Sequence, residues 1–219
     1  MTTFPGSPKL LKGGLVLLDA ATAAVRRVIA LQYNPVTLSR TLAVKSLGGD
    51  GGAGNRSEAL RLTGPPVETL TLEAEIDATD QLETGDSAAR EVGILPQLAA
   101  LETMIYPASA DLLANYAQAA AGVLEIAPMQ APLTLFVWGR ERVLPVRVTS
   151  FSITEEAFDP ALNPLRAKVS LGLRVLTVDD LGFDHKGGSL FLVHHQAKER
   201  LAGRAASAAL GALGLGGIP

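Results

Sequence analysis

The sequence predicts a mainly β domain with one packed helix and a helical or flexible C-terminal tail, and three observations carry that prediction. From Ala167 to Val175 the alternation has no exception, with Ala167, Val169, Leu171, Leu173 and Val175 on one face and Lys168, Ser170, Gly172 and Arg174 on the other. From Val67 to Asp77 the same two-residue period sets Leu70, Leu72, Ala74 and Ile76 against Thr69, Thr71, Glu73, Glu75 and Asp77. That period belongs to half-buried antiparallel strands. The third observation is the run from Leu133 to Leu176, which reads as three consecutive strands, the last two joined by Phe158-Asp159-Pro160 and Asn163-Pro164. Within it Leu144, Val146 and Val148 keep one phase and Phe151 and Ile153 the other, so a bulge is expected at Thr149-Ser150.

The remaining elements follow in order. Residues 1–9 read as a loose leader, broken by Pro5 and Pro8. Leu10 to Leu18 and Val25 to Tyr33 are short strands, and Asn34-Pro35 turns the chain, because the residue before proline is pushed out of helical angles. Val36 to Val44 is a further strand. Asp80 to Gly93 reads as a polar connector with a solvated acidic cluster. Ile94 to Ile105 places Ile94, Leu98, Leu101 and Ile105 on one helical stripe, and Pro107 follows it. Asp111 to Gly122 is a second helix or a loop with a helical turn. Past Val178, Asp179-Asp180 and Lys186-Gly187-Gly188 read as a linker, and Ser189 as the N-cap of a helix over Leu190 to Leu201. An alanine- and glycine-rich tail closes the chain.

Composition narrows the function. A chain of 219 residues supports one sizeable core. Hydrophobic residues make up 47% and charged residues 19%, with a mean hydropathy of +0.26, so part of the apolar surface is expected to be buried against other subunits. A formal net charge of -3 without a basic patch argues against nucleic acid. The absence of cysteine removes disulfides and thiolate metal sites. The N-terminus lacks the pattern of an export signal and no stretch is suited to crossing a bilayer, so assembly in the cytoplasm is expected.

Motifs for chemistry are sparse. Gly49, Gly51 and Gly54 match G-x-G-x-x-G, yet the helix that should follow is replaced by Leu60-Arg-Leu-Thr-Gly-Pro-Pro66 leading into a strand. The stretch from Leu47 to Arg56 is therefore read as a loop rather than a dinucleotide site. His194 and His195 diverge by about 100° on a helix and cannot face one metal. Glu155 and Glu156 alternate across a strand and are no acid–base pair. Trp138 reads as an aromatic sealing the core rim. No cofactor is expected. A small-molecule enzyme remains an alternative only if the fold gathers several ionisable groups in one pocket.

Two sets of residues are candidates for subunit contact. One is the glycine-rich loop with Gly48, Gly49, Asp50, Gly51, Gly54 and Arg56. The other is a pair of complementary faces, acidic through Glu73, Glu75 and Asp77 and basic through Arg166, Lys168 and Arg174. These faces either form cross-strand pairs or meet across a repeated contact.

Tyr33-Asn34-Pro35, Leu60-Arg-Leu-Thr-Gly-Pro-Pro-Val-Glu-Thr-Leu-Thr-Leu72 with Ile76-Asp77, the helix from Leu98 to Pro107, Pro132-Leu-Thr-Leu-Phe-Val-Trp-Gly139, Val148 to Thr154, and Phe158-Asp159-Pro160 with Asn163-Pro164-Leu165-Arg166-Ala167 together resemble the tube-type domain of contractile injection systems, which are phage-tail-like particles. The resemblance spans most of residues 10–177 and leaves 178–219 as a C-terminal extension, without the LysM module that follows in many relatives. It implies a tail-tube-like β-barrel or β-sandwich and a hexameric ring. It also implies a structural role linking the inner tube to the baseplate hub or spike, or, as the alternative, an inner-tube subunit stacked in many copies. The partners it implies are copies of the chain, the inner-tube protein and the hub or baseplate proteins, with no membrane insertion.

Overall fold

The computed structural model describes residues 10–19, 22–45, 61–122, 131–206, 208 and 210–218. Seven strands form one sheet: β1 Gly14–Leu18, β2 Val25–Ala30, β3 Leu38–Ala43, β4 Val67–Asp77, β5 Leu133–Val137, β6 Val143–Phe158 and β7 Pro164–Val175. Their spatial order is β2-β1-β5-β6-β7-β4-β3, and every pairing is antiparallel. The sheet is not closed, and β2 and β3 are its edges. It curls nonetheless, because Leu15 and Leu17 of β1 share one core with Leu70, Leu72 and Ile76 of β4 at the other side of the sheet.

The alternating strands behave as their pattern demands. The bounds of β4 are those expected, and its even residues from Glu68 to Ile76 are all buried. Ala167, Val169, Leu171, Leu173 and Val175 of β7 are at most 1% exposed. The expected bulge is present: Val148 faces Leu173 and Ser150 faces Gly172, which leaves Thr149 as the extra residue. Phe151 and Ile153 thereby return to the core side. Glu155 then opposes Ala167 and Glu156 opposes Arg166, so the two carboxylates do face opposite ways.

The helices depart further from expectation. The connector after β4 carries two short helices, α1 Thr79–Glu83 and α2 Ser87–Val92, before α3 Leu95–Glu102. Leu98 and Leu101 of α3 are buried against the sheet. Gly93, at φ 58°, lets the chain turn from α2 into α3 beside the Pro164 carbonyl. A Cβ there would come 2.2 Å from that oxygen, so only glycine fits. α4 Ser109–Ala120 is a full helix with no buried residue.

The stretch read as a linker is also helical. Thr177 and Asp180 form a capping box that starts α5 Val178–Leu181. α6 runs over Lys186–Ala202, and its N-cap is His185, whose Nδ1 accepts from the Gly187 N–H, rather than Ser189. Gly187 and Gly188 are close-packed members of α6, since a Cβ on Gly188 would meet the Gly182 carbonyl at 1.9 Å. Phe191 of α6 enters the main core. Leu181 and Leu190 cover Leu18, Leu133 and Leu135 on the opposite face of the sheet.

Two family-like motifs have local structural duties. Asn34 clamps the chain before β1, accepting from the Gly13 N–H at 2.8 Å and donating to the Leu11 carbonyl at 2.8 Å. Asp159 organises the β6–β7 turn by accepting from the N–H groups of Ala161 and Asn163 and from the Asn163 amide, each at 2.8 Å. Those bonds, the Asn163 side chain foremost, hold the Asp159 carboxyl below its ordinary range.

Candidate assembly surfaces

The acidic and basic faces meet inside one chain. Glu75 stands opposite Lys168 and Asp77 opposite Arg166 across the β4–β7 ladder. Arg166 Nε donates to Asp77 Oδ2 at 2.9 Å, Lys168 Nζ lies 3.5 Å from Glu156, and Arg174 reaches Asp180 at 2.8 Å. All of these pairs are partly exposed, so solvent screens them and each contributes little to stability. Glu73, Glu75, Asp77, Arg166, Lys168 and Arg174 thus lie on the two central strands of a panel and not on its margins. The other candidate set, Gly48, Gly49, Asp50, Gly51, Gly54 and Arg56, lies outside the described residues.

The panel consists of the upper half of β6 with β7, β4 and β3, seen from the side away from the core. Its rows are Glu156, Arg166 and Asp77, then Thr154, Lys168 and Glu75, then Ser152, Ser170 and Glu73. Below them come Ser150, Gly172, Thr71 and Ser39, then Arg147, Arg174, Thr69 and Thr41. No apolar side chain larger than a threonine interrupts these rows. Gly172 belongs there sterically, because a Cβ on it would lie 2.1 Å from Ser150 Oγ.

Each margin of the panel is an unpaired strand edge. β5 pairs with β6 only over Val143–Val146, so β6 beyond Val146 has β7 as its single neighbour among the described residues. On the far side β3 pairs with β4 and with nothing else described. Five of its six residues are exposed. A long open edge is a template for another strand, and proteins that expose one normally pair or shield it. The other end strand, β2, is likewise exposed over five of its six residues.

A buried charge network sits where the panel meets α6. Glu68 of β4 is 4% exposed. It accepts from Arg40 Nη2 of β3 at 2.6 Å and from Lys198 Nζ of α6 at 3.1 Å. Burial by itself pushes this carboxyl up, but the bonds and charges of Arg40 and Lys198 outweigh burial and leave it below its ordinary value. Nearby, His194 of α6 is 7% exposed. Its Nδ1 lies 3.1 Å from the Glu141 carbonyl in the β5–β6 turn, so that nitrogen carries the proton and donates. Nε2 is buried without a partner. Burial, and next the Lys198 charge, hold the imidazole below its ordinary pKa.

This network ties strand to helix and does not resemble a reaction centre. Glu68 and Lys198 satisfy each other, and the depressed Glu68 pKa is the reverse of what a general base near neutrality needs. Among the described residues no group of three or more His, Asp or Glu could hold a metal ion. No described helix is long and apolar enough to cross a membrane. Trp138 stacks on Phe136 with centroids 5.8 Å apart and packs at the rim of the core.

Open edges, a smooth polar panel and an internally satisfied charge network define a protein whose working surfaces are contacts with other chains. In agreement, residues 17–180, well over half of the chain, match the family model of the contractile injection system tube protein, and the chain belongs to that family. That family is structural and is not an enzyme family. No curated relative matches the chain.

Proposed function

We propose that the chain closes into a hexameric ring whose channel wall is the polar panel of β6, β7, β4 and β3. The observation that carries the proposal is the pair of open margins. Strand direction alternates across the panel, and β6 and β3 run in opposite directions, so β3 of one copy can pair antiparallel with β6 of the next. One repeated contact then removes both edges of every copy. Glu73, Glu75, Asp77, Arg166, Lys168 and Arg174 become channel-wall residues under this reading, and the subunit contact passes to Leu38–Ala43 and the upper part of β6. A water-filled channel explains why the rows from Glu156–Arg166–Asp77 to Arg147–Arg174–Thr69–Thr41 present only charged, hydroxyl and glycine residues on one side of four adjacent strands.

Rings of this chain stack as the inner tube of the particle. The stack is supported by the match to a tube-protein family and by apolar side chains that the subunit leaves exposed, Leu112, Leu113 and Tyr116 on α4 and Leu42, Val44 and Leu62 around the end of β3. A second reading, in which a single ring joins the inner tube to the baseplate hub or spike, is favoured by α6, which lies beyond the matched residues 17–180 and dresses one side of the domain differently. In both readings the particle is assembled in the cytoplasm. Electron microscopy and mass photometry of the purified chain test the ring, with closed six-membered rings expected. A monomer at assembly concentration would overturn it. Counting rings in the intact particle separates the tube from the junction.

A further inference from the structure

The two open margins restrict how one copy can pair with the next. β3 offers the six residues Leu38–Ala43. β6 is free from Arg147 to Phe158, because β5 covers it only over Val143–Val146. Two irregularities shorten that free length. Thr149 is the extra residue of the bulge, and Ala157 stands at φ 53°, outside the extended region that a strand needs. The regular stretch between them, Ser150 to Glu156, holds two windows of the length of β3. In the window Phe151 to Glu156, Ser39 would oppose Glu155, which sets the panel side of one copy against the core side of the next, since a slip of one residue exchanges the faces of a strand. In the window Ser150 to Glu155 the faces match.

We propose that β3 of one copy pairs with Ser150–Glu155 of the next copy in a single register, Leu38 opposite Glu155, Ser39 opposite Thr154, Thr41 opposite Ser152, Leu42 opposite Phe151 and Ala43 opposite Ser150. The register deepens the ring reading above and rests on it. Closure of the ring supports the same choice independently. Within one panel Ser39 shares a row with Thr71, Gly172 and Ser150, whereas across the contact it meets Thr154. Each copy is therefore staggered by four residues over its four strands. At about 3.4 Å per residue and about 4.8 Å between strands, this stagger tilts the strands about 35° from the channel axis. Closed barrels tilt their strands by about 35–45°. Registers shifted by two residues, the nearest that keep the faces matched, give about 20° or about 47°. The first of them also pairs Leu42 with the bulged Thr149, and the second pairs Leu38 with Ala157.

The side chains brought together are compatible on both faces. On the core side Leu42, 47% exposed in the subunit, gains Phe151, which is only partly buried against its own core. Glu155 comes diagonal to Arg40, within reach of a long side chain of opposite charge. On the panel side Ser39 meets Thr154 and Thr41 meets Ser152, hydroxyl pairs of the kind that stabilise antiparallel ladders, and the polar wall continues across the contact without an apolar break.

The chain has no cysteine, so a disulfide reads the register without background. Bridged Cβ atoms lie about 3.5–4.5 Å apart, whereas diagonal neighbours across a ladder are about 7–8 Å apart. Ser39→Cys and Thr154→Cys in one chain, oxidised as rings, should give a covalent ladder up to the hexamer on a non-reducing gel. It should form about tenfold faster or more than with Ser152→Cys or Glu156→Cys in place of Thr154→Cys. A bridge within one subunit cannot account for it, because β7 and β4 stand between β6 and β3. All four positions are outside the core, and mass photometry under reducing conditions checks that each variant still forms rings. A ladder that favours Ser152→Cys or Glu156→Cys, or intact rings with no ladder from Ser39→Cys with Thr154→Cys, would overturn the register and leave the ring reading standing. Absence of rings from the parent chain would overturn both.

Discussion

The lower and upper halves of the one sheet differ in what lies on the side away from the core. In the lower half, Val16 and Leu18 of β1 and Leu133, Leu135 and Val137 of β5 are covered there by Leu181 and Leu190. Both faces are buried, and the strands are continuous apolar runs, GLVLL and LTLFV. In the upper half the same side of β6, β7 and β4 is bare and polar, and the strands alternate. The lower half therefore completes itself within the subunit. The upper half leaves its surface and its edges open within the described chain, so a change in one half tests whether the other responds.

The largest effect is expected from the shared core. Leu171 is 0% exposed on the inner side of β7. Leu171→Ala should lower stability by about 2–5 kcal/mol, through lost transfer energy and the cavity left behind. Urea denaturation with tryptophan fluorescence, reporting Trp138, measures it. A loss under 1 kcal/mol would mean that the panel's inner side is not the packed core described. Next comes the seam between α5 and α6. Gly188→Ala places a methyl group against the Gly182 carbonyl, and an overpacked contact of this kind costs about 1–3 kcal/mol. Faster amide exchange confined to α6 and the Leu133–Val137 strand is the expected signature. Exchange that also rises across β4 and β7 would show that the halves are not separable.

This division explains what the sequence made legible. Strands with one wet face announce their period and phase, so β4, β7 and the Thr149 bulge could be located from residue order. The strands buried on both faces were visible as apolar runs, but their spatial order, with β1 between β2 and β5, depends on pairings between distant residues that no local pattern encodes. Gly187-Gly188 resembles a linker in any linear reading. In the fold the pair is what lets α6 approach Gly182, and the available clue was Thr177 followed three residues later by Asp180, a helix-start signature. The Glu68–Lys198 pair joins residues 130 apart in sequence, so the tie between panel and helix was not legible at all. Among the proposed surfaces, the charged residues of β4 and β7 were found from sequence. The open margins at β3 and β6 were not, because an edge is a property of strand order.

That tie gives an effect of similar size to the seam substitution, one that depends on pH. Glu68→Gln should cost about 1–3 kcal/mol, since Arg40 and Lys198 lose a charged partner but can regain water. The Glu68 carboxyl has a depressed pKa in the folded chain. Its contribution is thus complete above the ordinary carboxylate pKa and is lost as pH falls through the folded value. His194 is also depressed, so the folded state disfavours its protonation, and its contribution fades from the ordinary histidine range downward. Acid should therefore release α6 in two stages, the first near pH 6.5 and below, the second in the carboxylate range. Exchange of α6 amides across a pH series measures both stages. Glu68→Gln should abolish only the second, and a single transition unchanged by the substitution would refute the assignment.

The smallest effect on the subunit is expected on the panel, and it is the most discriminating. Ser170 sits on the polar side between Glu73 of β4 and Ser152 of β6. Ser170→Ala removes a hydroxyl that faces water and leaves every inner contact of β7 in place. Its cost should stay within about 0.5 kcal/mol, although its neighbour Leu171 is worth several times more. Glu73→Gln belongs to the same class for the isolated chain. In a closed ring the two substitutions differ, because every copy brings its Glu73 to the same height of the channel and the carboxylates repel one another at low salt. Glu73→Gln should then raise ring stability relative to the parent at low ionic strength, with the gain shrinking as salt is added, while Ser170→Ala changes neither. Measured by the concentration at which rings dissociate, an equal response of both variants would remove the panel from the channel wall and leave it an ordinary solvated face.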